Sequence, residues 1–230
     1  MRDVGDGQLS FLPARRVNRV RRRLAQPEFL ARWILATWLG WLLGLVLIMP
    51  LAIAGEWIGT GGAQGPVGVG MGIGVGLMQA RAMRGLGGGA DQWFWVTCIG
   101  LALPFVANDL AGVASVELPY SLLASVAAGG ALAGGMQALV LRHRVRRTWW
   151  WVAGSTVGWS LAASGAKAAD LLQRQTGLRG ALGALAYLGV VAAGGLVLGL
   201  VTGAILRSLS RCPSLPQSPR RPDSAGCQAR

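Results

Sequence analysis

Residues 118–142 read LPYSLLASVAAGGALAGGMQALVLR, with no charged side chain until Arg142. A helix needs about 20 apolar residues to cross roughly 30 Å of hydrocarbon, so this run is long enough to span a bilayer. Within it Gly130, Gly134 and Gln137 are spaced four and three residues apart, which places them on one helical face. Glycines at that spacing let helix backbones approach closely in lipid, where packing has to supply the attraction. The arrangement recurs twice. Gly72, Gly76, Gln79 and Arg84 fall in the same register, as do Gly195, Gly199, Thr202 and Arg207, giving the form G-x-x-x-G-x-x-[Q/T]-x-x-x-x-R.

Upstream of each copy lies a second apolar segment with its own marks. Trp33, Trp93 and Trp151 each precede a glycine by seven residues, at Gly40, Gly100 and Gly158. The next position is Trp41, Leu101 or Trp159, and three further on stands Gly44, Pro104 or Ala162. The unit is therefore a helical hairpin of roughly 60 residues, present three times in one orientation. Six spans are predicted, at about 33–53, 65–80, 93–106, 118–141, 149–163 and 181–206. The second, third and fifth are short or diluted by glycine, and the others are strong. The expected fold is all-α: a polytopic membrane bundle of about six transmembrane helices, arranged as three parallel hairpin repeats around an axis along the membrane normal.

Composition agrees with a membrane class. The 230 residues are 53% hydrophobic and only 13% charged, with a mean hydropathy of +0.47, too apolar for a soluble domain of this size. The net charge of +13 would point a soluble protein toward nucleic acid, but here the arginines are sorted by side. On one side of the six-span arrangement fall Arg15 to Arg32, then Arg81 and Arg84, Arg142 to Arg147, and Arg207 and Arg211; the other side has only Lys167, Arg174 and Arg179. By the positive-inside rule the basic side is cytoplasmic, so both termini are expected there, and nucleic acid is not an expected partner. The near-exclusive use of arginine over lysine, with abundant glycine and alanine, points to a GC-rich bacterial genome and a cytoplasmic (inner) membrane.

The chain divides into a basic lead-in at 1–28, a membrane domain at 29–208, with repeats about 32–84, 92–142 and 148–207, and a Pro/Ser/Arg tail at 209–230 expected to be disordered in the cytoplasm. In the lead-in Arg15, Arg16, Arg19, Arg22 and Arg23 share one helical arc, opposite Val17, Val20 and Leu24. This is the pattern of an interfacial helix facing anionic lipids, although arginines before a first span also serve simply as topology signals.

Reactive chemistry is sparse. Cys98 lies inside the third span, Cys212 and Cys227 in the tail, and the one histidine, His143, among loop arginines; no metal spacing results. Glycine-rich 68–76 lacks the G-x-x-x-x-G-K-[S/T] of a phosphate loop, and G-S-T-V-G at 154–158 lacks the central serine of a nucleophile elbow. No ionisable residue falls near the midplane of a strong span, where proton relays and ion pathways place theirs. Asp109, Lys167 and Asp170 read as groups solvated at the outer interface, and Trp149 to Trp151 as an aromatic belt. No cofactor, metal or catalytic residue is expected. The candidates that remain are the packing glycines Gly40, Gly44, Gly72, Gly76, Gly100, Gly130, Gly134, Gly158, Gly195 and Gly199, and a polar layer of Gln79, Gln137, Thr202, Trp33, Trp93 and Trp151. Gln79, Gln137 and Thr202 each precede an arginine by five residues, about 7.5 Å below the interface from which the tryptophans enter.

Residues 129–160, GGALAGGMQALVLRHRVRRTWWWVAGSTVGWS, resemble a family of uncharacterised bacterial multipass membrane proteins that repeat G-x-x-Q-W-L-V-L-R, followed by W-W and a G-W pair. The chain departs from the pattern at Ala138, where the family has Trp, and in its first copy, Met78-Gln79-Ala80-Arg81. The resemblance implies the membrane fold and brings no activity with it.

Two functions fit. The first is a non-enzymatic structural or accessory membrane component with a membrane-protein partner, which follows from glycine seams without reactive groups. The second is a small-solute transporter or channel, which follows from polar residues at one depth in three hairpins. A dry axis favours the first, and water lined by Gln79, Gln137 and Thr202 favours the second.

Overall fold

A computed structural model of the protein describes residues 22–57, 59–86, 88–116, 122–142, 145, 147–176 and 180–211. The arginine arc at Arg15, Arg16 and Arg19, His143, and the tail with Cys212 and Cys227 lie outside the described residues. Six long helices account for most of the rest: α1 (Pro27–Trp57), α2 (Gly65–Met83), α3 (Ala90–Val113), α4 (Leu122–Leu141), α5 (Trp149–Thr176) and α6 (Gly180–Arg211), with a 3₁₀ turn at Arg84–Leu86 after α2. No strand occurs among the described residues.

Four of the helices, α1, α3, α4 and α6, are long and apolar enough to cross a membrane. The third segment, read from sequence as short, is one of these four: its helix runs 24 residues, past Pro104. Helix α2 is diluted by six glycines in 19 residues. Helix α5 extends well beyond the expected end at 163 and carries Lys167, Asp170 and Arg174 in its last turns. The sequence boundaries cut both helices at the first polar residues, but a helix ends where its backbone hydrogen bonds end, and exposed charges do not stop it.

Each helix packs against its neighbours in sequence, and α6 packs back onto α1, so the six form a closed ring. Two hydrophobic clusters lie along its axis. The first, at the end bearing Arg84, Arg142 and Arg207, gathers Trp33, Trp93, Trp151, Met83, Leu141 and Leu206; the second gathers Trp41, Leu101, Trp159, Met71, Phe105 and Leu198.

Both ends of the helical bundle differ from the sequence reading. Leu24, read from sequence on the apolar arc of an interfacial helix, is buried in the first cluster, while Arg23 donates to the Gly85 carbonyl at 2.7 Å. The tail was expected to begin at 209, but α6 continues to Arg211 with Leu209 and Ser210 buried. In both places an apolar side chain has bundle surface to cover, and this outweighs the polar composition around it.

Glycine sets the separation of the helices. A Cβ on Gly40 would lie 2.7 Å from the Val75 Cα, and one on Gly100 would collide with the Ala133 backbone. Gly158, at the same register, faces the Leu198 side chain instead, and Gly44 faces Met71. On the even helices Gly72 lies on Cys98, Gly76 on Phe94 and Thr97, Gly130 on Trp159, Gly134 on Ser155, Gly195 on Trp41, and Gly199 on Ile34. All ten glycines singled out in the sequence thus face a neighbouring helix.

Candidate functional site

The start of each odd helix aims a tryptophan at the axis. Trp33, Trp93 and Trp151 are fully buried; Trp33 meets the other two edge to face, with ring centroids 5.8 and 6.0 Å away, and Trp93 and Trp151 are tilted against each other at 5.5 Å. These separations and tilts suit aromatic quadrupoles. Each indole turns its single N–H outward to an even helix. Trp93 donates to Gln79 Oε1 at 3.1 Å, Trp151 to Gln137 Oε1 at 3.0 Å, and Trp33 to Thr202 Oγ1 at 3.0 Å. Because indole can only donate, it fixes which end of each amide is the oxygen.

The amide nitrogens then reach back into their own hairpins. Gln79 Nε2 donates to Thr37 Oγ1 at 3.2 Å, and Gln137 Nε2 to Thr97 Oγ1 at 2.8 Å. Thr97 in turn donates to the Trp93 carbonyl. Each glutamine therefore ties its own hairpin to the next one. Thr202 is too short to do the same: it accepts from Trp33 and donates to the Leu198 carbonyl, and Ser155, at the position of Thr37 and Thr97, donates to the Gly130 carbonyl instead.

Thr37, Thr97 and Ser155 were not among the sequence candidates. A signal was available in the recurring W-x-x-x-[T/S] of Trp33–Thr37, Trp93–Thr97 and Trp151–Ser155. Four residues on a helix put the hydroxyl directly over the indole's turn.

The site is dry. Gln79, Gln137 and Thr202 are only 4%, 3% and 2% exposed. Leu24, Met83, Leu86, Leu141, Leu206 and Leu209 pack with the indoles on the arginine-bearing side, and a second buried cluster, which contains the Trp41–Trp159 pair with centroids 5.8 Å apart, lies further along the axis on the other. No member of the ring carries a carboxylate, imidazole, amine or thiol, and its hydroxyls and amides are engaged with one another and with backbone carbonyls. Its chemistry is therefore that of fixed hydrogen bonds in a water-free layer, which orient helices. Among the described residues no three His, Cys, Asp or Glu side chains cluster.

Other sequence candidates separate from this site. Trp151 belongs to the indole triad, while Trp149 and Trp150 stack on each other in the open. Asp109 accepts the backbone N–H groups of Gln64 and Gly65 at 2.7 and 2.6 Å, capping α2 from the end of α3; it is engaged by protein and is not merely solvated. Lys167 and Asp170 are exposed. Comparison of the chain with family models, curated proteins and solved structures finds no match.

Proposed function

We propose that the chain is a non-enzymatic structural or accessory component of a bacterial cytoplasmic membrane, spanning it six times as three parallel hairpin repeats, with both ends in the cytoplasm. The observation that carries this reading is the buried indole–amide–hydroxyl ring, whose members recur at one register in three hairpins. Four helices suit a bilayer by length and composition, and the ring geometry extends the argument to the other two. Helix α2, about 28 Å long at 1.5 Å per residue, lies between α1 and α3 and runs through the same layer. The arginine asymmetry supports cytoplasmic termini, and Arg22 and Arg23, both exposed, would then meet anionic headgroups. The shared motifs support membership of the family that the 129–160 segment resembles.

A structural role follows from what the polar groups do. Solute passage would require Gln79, Gln137 and Thr202 to face water, and each spends its hydrogen bonds on protein. Topology reporters fused after Arg84, Arg142 and Arg211 should report cytoplasm, and those near Glu56, Glu117 and Arg174 the opposite side. A periplasmic signal from the C-terminal fusion would refute the orientation. In proteoliposomes, Gln79→Leu and Gln137→Leu should lower the detergent melting temperature and leave solute permeability unchanged. A flux that both substitutions abolish without loss of stability would make the chain a transporter.

A further inference from the structure

Beyond the Trp41–Trp159 pair, on the side away from the indole triad, the axis is not filled. A cavity of about 110 Å³ opens there, with walls from all six helices. Its floor is Trp41, Leu101 and Trp159; Met71, Phe105 and Ala162 form the wall above, and Ile48, Leu122 and Ala166 lie toward the rim. The space has an origin in the sequence. Where α1 and α3 contribute Leu45 and Phe105, α5 contributes Ala162, Ala163 and Ala166, and α2 contributes Gly68.

No side chain on this wall carries a charge, hydroxyl, carboxamide or imidazole. Water needs two to four polar partners to be held in a cavity, and apolar cavities of roughly 150 Å³ stay dry and take up benzene. Leu122, at the start of α4, both lines the cavity and is exposed, so the apolar lining reaches the surface at that end of the bundle. If the bundle sits in a bilayer, hydrocarbon is the material that surrounds this entrance at the highest concentration. We propose that the cavity is a binding site for the end of a lipid acyl chain, entering methyl-first past Leu122 and stopping on the Trp41–Trp159 pair. The inference rests on the membrane-spanning reading given above. Its physical content is that a chain end restores the dispersion contacts that an empty cavity withholds from its walls.

The test uses the full chain reconstituted with a phosphatidylcholine carrying a diazirine at the end of one tail. After photolysis, adducts are mapped by mass spectrometry. Leu103 and Leu139, exposed on the bundle surface, serve as the control for residence in the bilayer. The expected result is labelling of Met71, Phe105 or Trp159 in addition to these two. Ala166→Phe should cut the labelling of the cavity wall by about tenfold, since a close-packed wall leaves no room for a second occupant, and leave Leu103 labelling intact. Ala163→Leu offers a smaller filling group and should give a partial reduction in a protein that folds more readily. Labelling of Leu103 and Leu139 alone would overturn the acyl-chain site. So would wall labelling that neither substitution reduces, or wall labelling by a small aromatic photoprobe but not by the lipid. Absence of label at every position would instead overturn the membrane-spanning reading.

Discussion

The first two hairpins and the third solve the same packing problem with different parts. Gln79 and Gln137 each hold two partners, an indole from the next hairpin and a threonine in their own. Thr202 holds the Trp33 indole and then turns to its own backbone, so α5 and α6 have no hydrogen bond across the hairpin at this level. The backbone seams differ in parallel. Gly40 sits on the Val75 and Gly74 main chain, whereas Gly158 sits on the end of the Leu198 side chain. The comparison shows that the ring closes through its aromatic centre even where one amide link is missing, and that the third hairpin is the more forgiving.

That difference can be broken in graded steps. Gly40→Ala should cost about 1–3 kcal/mol, because its Cβ would meet backbone that cannot rotate away, and Gly158→Ala should cost well under about 1 kcal/mol. Unfolding in detergent measures both, and equal losses would refute the contrast. Gln137→Leu comes next. It strands the buried Trp151 N–H and removes a donor from Thr97, for a loss of about 1–3 kcal/mol. Thr202→Val strands the buried Trp33 N–H but leaves no second side chain unmatched, and should cost about 1 kcal/mol. A Thr202→Val loss as large as that of Gln137→Leu would mean that the third link carries the ring. The smallest effect has the opposite sign: Thr202→Gln should gain about 0.6 kcal/mol if the amide reaches Ser155 as Gln137 reaches Thr97. A melting temperature at or below the parent's would show that the third hairpin cannot admit an amide.

The helices and the glycine faces were largely legible from spacing, because a period set by helix geometry is written into the chain at Gly72–Gly76 and its counterparts. The common depth of Trp93 and Gln79 was legible too, by counting from a flanking arginine. Four features were not. Thr37, Thr97 and Ser155 share the W-x-x-x-[T/S] spacing, but the spacing names no partner until a neighbouring amide is placed beside them. The Asp109 cap joins residues 44 and 45 positions apart, a pairing that no local pattern encodes. Helix α5 reads as ending near 163 because composition reports where apolar residues stop, not where the backbone stops hydrogen bonding. The axial cavity escapes for the same reason, since the sequence gives side-chain size at each position but not which small residues will face one another.

The bond from Trp33 to Thr202 joins residues 169 positions apart, the first tryptophan of the bundle to its last helix. On a ribosome Trp33 emerges well before Thr202. The first hairpin must then wait, with one indole N–H unmatched and one side of α1 uncovered, until α6 arrives. Non-local closure of this kind adds loop entropy to the folding barrier. The nascent bundle thus stays open, and a chain that stalls before α6 presents α1, with Trp33 unpaired, as its unfinished surface.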